Sequence, residues 1–457
     1  MRKVLIANRG EIAVRIARAA RELGIATVAV YSEADKNAVH RKVADEAIHI
    51  GPAPAGASYL SVPALLEAIK ESGADGVHPG YGFLSENADF AEAVAAAGVT
   101  WIGPDAAAIR QMGDKVAARA SAQAAGVPTV PGSDGEVHDL TEALAVAEVI
   151  GYPLAIKAGA GGGGRGIRVV QEESELAGAI STAQAEARAA FGSGAVYIER
   201  FVPRARHIEV QVFGDGERAV HLGVRDCSMQ RRRQKVVEEA GDIDVPAEVL
   251  AEMTGASVRL AQSVAYTGAG TVEYLYDEER AEFYFIEMNT RIQVEHPVTE
   301  MVYGRDLVAE QLKVASGMPL SFTQEELVPR GHAIEVRINA ENAANGFMPS
   351  PGRITRFDVP AGPFVRVDSG FVANSVVSPY YDSMIGKVIV WAEDRDRAIA
   401  RLDRALRELT VEGVVTTAPF VKAIIDTDEF RKSNYHTTWL EGWMAEQERL
   451  GHGVCDG

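Results

Sequence analysis

Glu287-Met-Asn-Thr-Arg-Ile-Gln-Val-Glu295 carries a charged or amide side chain at every second position. In an extended chain alternate side chains project from one face, so these five polar residues are predicted to share one face of a strand. The face combines Glu287 and Asn289, which suit Mg²⁺, with Arg291 and Gln293, which suit a planar anion. An exposed amphipathic strand is the alternative, and this mixture of groups favours a site.

A second predicted strand, Thr271-Val-Glu-Tyr-Leu275, precedes the first and adds a carboxylate at Glu273. If the two strands are neighbours, two acidic side chains face the same ligand. Such a pair forms a clamp for metal ions that bind phosphates. The sequence therefore predicts a metal-dependent, phosphate-handling site at Glu273, Glu287 and Asn289.

A glycine-rich loop, Gly161-Gly-Gly-Gly-Arg-Gly166, lies between predicted strands at 154–157 and 167–170. Without side chains, backbone N–H groups can close over phosphate oxygens. Lys157, at the end of the preceding strand, supplies a positive charge for the same phosphates. The loop is not a Walker A motif, because no Gly-Lys-Ser/Thr opens a helix. A flexible hairpin without a ligand is the alternative interpretation.

The N-terminal part alternates short apolar runs with segments of helical spacing. Val4-Leu-Ile-Ala7 and Thr27-Val-Ala-Val-Tyr31 are predicted strands, and the helix between them ends near Gly24. A further strand, Gly76-Val-His78, runs into the turn Pro79-Gly-Tyr-Gly82. This β-α-β rhythm predicts a doubly wound parallel sheet. The first turn lacks GxGxxG, so a dinucleotide site is not supported.

The rest of the chain divides into further units. A helical stretch at about 105–125 leads to the linker Gly126-Val-Pro-Thr-Val-Pro-Gly132. A small α/β unit follows at about 131–203, and the remainder mixes alternating strands with helices. The expected fold class is therefore α/β and α+β.

Composition excludes several classes of protein. The length of 457 residues predicts two to four domains, and 47% hydrophobic with 24% charged residues is typical of a globular protein. The net charge of −18 disfavours nucleic acid or an anionic membrane surface as a partner. Only Cys227 and Cys455 are present, which excludes a disulfide scaffold. Without a signal peptide or an apolar run of membrane-spanning length, we expect a cytoplasmic protein.

Two other polar stretches remain ambiguous when they are considered alone. Gln230-Arg-Arg-Arg-Gln-Lys-Val-Val-Glu-Glu239 is either a solvated charged surface or a site that concentrates small anions. Glu335-Val-Arg-Ile-Asn-Ala-Glu341 alternates like the first stretch, and a salt-bridged sheet surface is the favoured interpretation of that pattern.

These stretches, in this order, resemble the biotin carboxylase family of the ATP-grasp superfamily over nearly the whole chain. The motifs that carry the resemblance are IANRGEIAVRI (6–16), HPGYGFLSEN (78–87), MGDK (112–115), KAGAGGGGRG (157–166), RHIEVQV (206–212), RDCSMQRRRQKVVEEA (225–240), FIEMNTRIQVEHPVTEM (285–301), PSPGRITRF (349–357) and YYDSMIGK (380–387).

The resemblance implies an ATP-grasp fold in three parts. A Rossmann-like N-terminal domain is expected at 1–113, an ATP-grasp region at 114–330 with a mobile lid at 131–203, and a C-terminal domain at 331–446. It also implies the reaction. Bicarbonate and ATP give carboxyphosphate, whose CO₂ passes to N1′ of biotin, with Mg²⁺ or Mn²⁺ as the metal.

Residue roles follow from the matching positions. Glu273, Glu287 and Asn289 are similar to metal ligands, and Lys235, Arg291, Gln293 and Val294 to the bicarbonate site. Glu295 corresponds to the base that deprotonates bicarbonate. Arg337 would stabilise negative charge on the biotin ureido oxygen. This role changes the interpretation of the strand that carries Arg337 from a surface to a site. Tyr81 is in the motif that approaches biotin. The resemblance assigns the nucleotide to Lys115, Lys157, Gly162, Gly163, Gly164, Arg165, Gly166, Glu199, Arg200, Phe201, Val202, His207 and Gln230.

Partners are also implied. No Met-Lys-Met biotin-attachment motif occurs in the sequence, so we expect biotin on a biotin carboxyl carrier protein and a separate carboxyltransferase. One component of an acyl-CoA carboxylase, forming a homodimer, is expected, since Arg18, Glu22 and Arg366 match the family's dimer contact. Pro363 replaces a usual phenylalanine there and weakens that inference.

Two alternatives stay open at this point. Another ATP-grasp ligase would share the glycine loop and metal ligands, but is not expected to carry RIQVEHPVTEM and HPGYGFLSEN together. A non-catalytic nucleotide-binding protein would lose Glu295, Arg291 or Arg337, and all three are present. Arg233, where the family commonly has histidine, and the Gly241-Asp-Ile-Asp stretch, where a proline is usual, depart from the family pattern.

Overall fold

The computed structural model describes residues 1–133, 135–158, 168–191, 194, 196–450 and 453. Its N-terminal part confirms the predicted doubly wound sheet, with five parallel strands in the order β3-β2-β1-β4-β5. The strands are β1 (Lys3–Ile6), β2 (Ala26–Ser32), β3 (Glu46–Gly51), β4 (Gly76–His78) and β5 (Thr100–Trp101). The helices are α1 (Gly10–Glu22), α2 (Val39–Val43), α3 (Val62–Ser72), α4 (Ala88–Ala96) and α5 (Ala106–Gly113).

The single helix expected at about 105–125 is instead two helices, α5 and α6 (Lys115–Ala124). Asp114 lies between them with an extended backbone, and its side chain accepts hydrogen bonds from the N–H groups of Val116 and Ala117. An aspartate that caps a new helix competes with continuation of the old one. The break leaves Lys115 at the first position of α6.

A small unit follows, built on a three-stranded antiparallel sheet in the order β7-β6-β8. Alternate residues Leu154, Ile156, Val196 and Ile198 are fully buried, as expected for a sheet with one covered face. The elements of this unit are α7 (Leu140–Ile150), β6 (Leu154–Ala158), β7 (Arg168–Val170), α8 (Glu173–Phe191) and β8 (Val196–Arg200).

The largest sheet has eight antiparallel strands in the order β13-β12-β9-β10-β11-β14-β21-β19. Its first part comprises β9 (Ala205–Asp215), β10 (Ala219–Arg231), β11 (Gln234–Ala240), β12 (Thr267–Asp277) and β13 (Glu282–Asn289), with helices α9 (Ala247–Ser263), α10 (His296–Tyr303) and α11 (Leu307–Ala315). The sheet continues across residue 330, because β11 pairs with β14 (His332–Asn339). The expected ATP-grasp and C-terminal regions therefore share one sheet.

The C-terminal part completes that sheet and covers it with helices. Its remaining strands are β15 (Glu341–Asn342), β16 (Met348–Pro349), β17 (Gly352–Arg353), β18 (Arg356–Asp358), β19 (Val365–Ser369), β20 (Val376–Val377), β21 (Met384–Ala392) and β22 (Thr410–Glu412). Its helices are α12 (Arg395–Glu408), α13 (Ala418–Asp426), α14 (Asp428–Arg431) and α15 (Trp439–Arg449). Of the helices in the described ranges, none is both long and apolar enough to cross a membrane.

The prediction of one strand across residues 287–295 is wrong beyond Asn289, where β13 ends. Residues 290–295 form an irregular loop, and α10 begins at His296 with Pro297 in its first turn. Proline is tolerated in the first turn of a helix, where its missing N–H would have no intrahelical partner. The chain needs the loop to turn from the sheet into this helix.

Candidate active site

Strands β12 and β13 place two carboxylates side by side, since Glu273 pairs directly with Glu287 in the antiparallel register. Asn289, further along β13, donates from Nδ2 to Oε1 of Glu273 at 2.9 Å. Burial, together with the neighbouring Glu273 carboxylate, raises the pKa of Glu287. Two crowded carboxylates beside an amide are a donor set that fits a hard divalent cation.

Glu295 lies beyond the loop, between two cations. Its Oε1 accepts from Nζ of Lys235 at 2.6 Å, and its Oε2 accepts from Nη2 of Arg337 at 3.0 Å. Burial alone would raise the pKa of Glu295, but Lys235, Arg337 and Arg225 hold that pKa well below its usual range. Glu295 is therefore ionised at neutral pH, and two charged donors fix its orientation.

Lys235, on β11, connects the two groups of carboxylates. Its Nζ donates to Glu209 at 2.5 Å and to Glu273 at 3.0 Å, in addition to Glu295. Burial would lower the pKa of Lys235, yet Glu209 and Glu295 raise it well above its ordinary value. Lys235 is thus a permanent cation between Glu295 and the carboxylate pair formed by Glu273 and Glu287.

Arg337 is held on its other side by Glu238, whose Oε1 accepts from Nε of Arg337 at 2.6 Å. Burial raises the pKa of Glu238 to about 7, although Arg337 acts in the opposite direction. Glu238 lies on β11 directly opposite Glu335 of β14. Both carboxylates are fully buried, so the Arg337 strand is not the salt-bridged surface that its pattern alone suggested.

Gln293 is oriented by Arg225, which the sequence analysis did not single out. Nη2 of Arg225 donates to Oε1 of Gln293 at 2.6 Å, and Nε of Arg225 donates to Oε1 of Glu209 at 2.5 Å. With its oxygen taken, Gln293 donates from Nε2 to Oε1 of Glu273 at 2.8 Å. Arg225 is fully buried, and it lies in the quoted motif RDCSMQRRRQKVVEEA.

Arg291 extends from Asn289 on β13 to the N-terminal domain. Its Nη2 donates to Oδ1 of Asn289 at 2.8 Å, and its Nε donates to Oε2 of Glu86 at 2.9 Å. Glu86 also accepts from the backbone N–H of Thr290 at 3.3 Å. Glu86, another residue that sequence reasoning missed, therefore positions both Arg291 and the start of its loop.

One cavity of about 740 Å³ is lined by Lys235, Glu273, Glu287, Asn289, Arg291, Gln293, Glu295 and Arg337. Phenolic Tyr81 is in its wall and donates to Oε1 of Glu11 on α1, and burial raises the pKa of Tyr81 well above its ordinary value. The structure thus brings together the following residues from the sequence analysis: Tyr81, His207, Lys235, Glu273, Glu287, Asn289, Arg291, Gln293, Val294, Glu295 and Arg337.

Most of the residues that the resemblance assigns to the nucleotide do not line this cavity. Nζ of Lys157 donates to Glu199, and Arg119 lies 3.5 Å from the same carboxylate. Arg200 turns its side chain towards Glu282 and Tyr284. Four other positions do not line this cavity: Lys115, Phe201, Val202 and the buried Gln230. The glycine-loop positions lie outside the described residues: Gly162, Gly163, Gly164, Arg165 and Gly166.

The two departures from the family pattern occupy turns. Arg233 lines the cavity in the turn between β10 and β11, with a φ of 66°. Gly241 has a φ of 127°, and a Cβ atom there would lie 2.5 Å from the backbone oxygen of Gly331. A side chain would not fit at position 241, so glycine suits this path of the chain.

Three family models match successive parts of the chain. The models "Biotin carboxylase, N-terminal domain", "Carbamoyl-phosphate synthase L chain, ATP binding domain" and "Biotin carboxylase C-terminal domain" match residues 1–109, 114–323 and 335–442. Biotin carboxylase 1 of Bacillus subtilis is 54% identical over 96% of this chain and 98% of its own. One pyruvate carboxylase subunit, from Methanothermobacter thermautotrophicus, is 51% identical over 98% of this chain and 92% of its own.

Solved structures agree. The biotin carboxylase of Campylobacter jejuni, in its β,γ-ATP complex, gives a TM-score of 0.87 at 47% identity, covering 96% of this chain and 98% of that one. The biotin carboxylase domain of a thermophilic 2-oxoglutarate carboxylase bound to bicarbonate gives 0.93 at 43% identity, covering 100% and 99%. These matches confirm the expected ATP-grasp architecture. The chain belongs to the biotin carboxylase family.

Proposed function

We propose that this chain carboxylates biotin with bicarbonate and ATP, giving ADP, phosphate and N1′-carboxybiotin. A bicarbonate oxygen attacks the γ-phosphorus, the bond to ADP breaks, and the bicarbonate proton passes to Glu295. The resulting carboxyphosphate then breaks its C–O bond, so that phosphate leaves. The released phosphate takes the N1′ proton of biotin, and N1′ then bonds to the carbon of the released CO₂.

One observation carries this proposal: an ionised Glu295 lies between two cations in a cavity that also holds the Glu273, Glu287 and Asn289 donor set. A carboxylate can accept a proton only if it is ionised beforehand, and Lys235 and Arg337 keep it so. When Lys235 turns from Glu295 to a bicarbonate oxygen, the carboxylate loses a cation and becomes a stronger base. Binding of the anion therefore prepares its own deprotonation.

Arg291 and Gln293 support a site for the bicarbonate itself. Arg291 offers a planar fork of N–H donors that matches a planar carboxylate-like anion. The orientation of Gln293 is fixed by Arg225 at 2.6 Å, so its Nε2 faces the carboxylates and any ligand between them. The proposed bicarbonate position is between Arg291, Gln293, the Val294 backbone and Lys235.

Arg337 is proposed to act in the second step. It carries a charge that Glu238 and Glu295 hold in place, and it lines the same cavity as Tyr81, which is distant in sequence. A fixed cation is most useful where negative charge develops, here the ureido oxygen of biotin as N1′ loses its proton. Tyr81 supports the same part of the cavity as the biotin site.

Glu273, Glu287 and Asn289 would hold Mg²⁺ or Mn²⁺, which neutralises phosphate charge when bound. This assignment rests on the directly opposed carboxylates of Glu273 and Glu287 and on the Asn289 amide beside them. The lid at 131–203 and the lysines Lys115 and Lys157 are proposed to bind the phosphates.

The carrier of biotin is proposed to be a separate carrier protein or domain, with a carboxyltransferase as the second catalyst. An acyl-CoA carboxylase fits the relatives named biotin carboxylase, while the Methanothermobacter relative belongs to a pyruvate carboxylase. A solved biotin carboxylase domain of Hydrogenobacter thermophilus is described as a dimer, which supports a homodimer here. The cytoplasmic location stays a prediction from the sequence.

The test is ATP cleavage by the purified chain with bicarbonate and Mg²⁺, measured with and without free biotin. We expect bicarbonate to be required, biotin to accelerate phosphate release, and carboxybiotin to accumulate. ATP cleavage that ignores both bicarbonate and biotin, with no carboxybiotin, would refute the proposed function.

A further inference from the structure

Within the described ranges, no strand pairs with the loop that carries Arg291, Gln293 and Glu295. Side chains from other elements contact this loop. At Val294, directly before Glu295, the backbone oxygen accepts a hydrogen bond from Nζ of Lys387. Lys387 is on β21, 93 residues away in sequence, and its side chain is completely buried.

Lys387 is in turn paired with Glu11, in the first turn of α1. Their charged atoms, Nζ and Oε1, are 3.2 Å apart, and Glu335 lies further away at 3.9 Å. The same Oε1 of Glu11 accepts from the hydroxyl of Tyr81. Tyr81, Glu11, Lys387 and the Val294 carbonyl thus form one buried chain of polar contacts across the N-terminal domain, the C-terminal domain and the active-site loop.

The contact at Val294 controls the peptide that leads into Glu295. A trans peptide is planar, with its C=O and N–H pointing in opposite directions, so holding the Val294 oxygen also orients the N–H of Glu295. The Glu295 carboxylate must keep its place relative to bicarbonate, because a displacement of about 1 Å can cost on the order of 100-fold in rate.

Stability alone does not account for this arrangement. A buried ion pair gives little or no net stabilisation compared with well-packed apolar residues, because both charges lose water. Lys387 and Glu11 are both buried. Lys387 contacts the active-site loop, and Glu11 contacts Tyr81 in the cavity wall. That location points to a role in geometry.

We propose that Lys387, supported by Glu11, is a positioning residue for Glu295 and for the bicarbonate loop, an inference that rests on the proposed function. Lys387 does not reach the reacting atoms. It holds the Val294 peptide, and Glu11 links this hold to Tyr81 on the proposed biotin side of the cavity.

The test is Lys387→Met, with kinetics of bicarbonate-dependent ATP cleavage and binding of MgADP as readouts. We expect kcat/KM for bicarbonate to fall by about 10- to 100-fold, since the loop loses its anchor, while the dissociation constant for MgADP changes less than about twofold. If Lys387→Met does not fold, the double variant Glu11→Gln, Lys387→Met removes both charges of the 3.2 Å pair and is measured in the same way.

The matched control is Arg395→Met, which breaks another buried ion pair, Arg395 with Glu239 at 2.7 Å, away from the cavity. It should lower Tm but leave kcat/KM for bicarbonate within about twofold of the unsubstituted chain. The inference is overturned if the folded Lys387 variant turns over normally, or if Arg395→Met loses as much bicarbonate-dependent activity at an equal loss of Tm. An unsubstituted chain without bicarbonate-dependent ATP cleavage would instead refute the proposed function.

Discussion

The two halves of the 287–295 segment are built differently. Glu287 and Asn289 are on β13 and are held by the backbone ladder to β12, where Glu273 is directly opposed. Arg291, Gln293 and Glu295 follow in a loop whose side chains are held by other buried or half-buried side chains. We call these the strand half and the loop half.

The charges around the halves also differ. In the strand half two carboxylates are directly opposed: burial and Glu273 raise the pKa of Glu287, whereas Lys235 and His207, against burial, lower the pKa of Glu273. In the loop half, Lys235 and Arg337 overcome burial and lower the pKa of Glu295. An excess of carboxylate suits a cation, whereas a carboxylate among cations suits an anion that must lose a proton. We propose that this difference allows one short segment to serve two ligands.

The largest expected effect comes from the loop half. Glu295→Gln removes the proposed proton acceptor but keeps the shape of the side chain. General base catalysis contributes about 100- to 10,000-fold, so we expect bicarbonate-dependent ATP cleavage to fall by that amount. Binding of MgADP, measured by titration calorimetry, should change less than about twofold. Turnover near that of the unsubstituted chain would rule out Glu295 as the base.

The strand half should respond through the metal. In Glu287→Gln a proposed ligand loses its charge, and we expect the Mg²⁺ concentration for half-maximal activity to rise by about 10-fold or more. KM for bicarbonate at saturating Mg²⁺ should stay within about twofold. Glu282→Gln, at a half-exposed site on the same strand, is the control and should leave the Mg²⁺ requirement unchanged. An unchanged Mg²⁺ requirement in Glu287→Gln would show that Glu287 is not a ligand of the metal.

The electrostatic support of the loop half predicts a pH dependence. Burial raises the pKa of Glu238 to about 7 in the folded chain, so the folded state holds this proton more tightly than the unfolded state. Its contribution to stability is therefore present at low pH and is lost as pH rises through about 7. Between pH 5 and 8 we expect the unfolding free energy of the unsubstituted chain to fall on the order of 2 kcal/mol because of Glu238. In Glu238→Gln this fall should be absent.

Denaturant unfolding at several pH values measures this effect. The exposed Glu448→Gln is the control, and its pH profile should match that of the unsubstituted chain. If Glu238→Gln and the unsubstituted chain show parallel profiles, the proton is not held at Glu238.

The smallest expected effect concerns the link to the N-terminal domain. Glu86→Ala removes the acceptor at 2.9 Å from Nε of Arg291. Glu86 is partly exposed, so we expect KM for bicarbonate to rise only a few-fold. Glu92→Ala, which breaks the exposed pair with Arg110, is the control and should not change KM. An unchanged KM in Glu86→Ala would show that Arg291 does not need this partner.

The sequence predicts the strand half better than the loop half, for a physical reason. Period-two alternation identifies side chains on one face of a strand, so Glu273, Glu287 and Asn289 could be found from local pattern. Beyond Asn289 the strand ends. The alternation still assigns Arg291 and Gln293 to a planar anion, whereas the role of Glu295 as a base comes only from the family resemblance. Their place in the cavity depends on tertiary contacts, which the local pattern does not record.

The partners of the loop half escaped sequence reasoning because they are distant in the chain. Arg225 and Lys387 are 68 and 93 residues from the loop residues they hold, and each is fully buried despite its charge. A charged residue in an alternating strand is normally solvated, so the pattern around Glu335 suggested a surface. The core of the N-terminal parallel sheet was predictable, since β1, β2 and β4 are short, mostly buried and largely apolar runs.

The most direct test of the account follows an oxygen atom. With ¹⁸O-labelled bicarbonate, attack on the γ-phosphorus places one labelled oxygen in each phosphate released. We expect the label in phosphate from the unsubstituted chain and from Glu287→Gln at saturating Mg²⁺, and its loss in Glu295→Gln. Unlabelled phosphate from an active chain, or equally fast labelling by Glu295→Gln, would contradict the division of this segment into a metal half and a bicarbonate half.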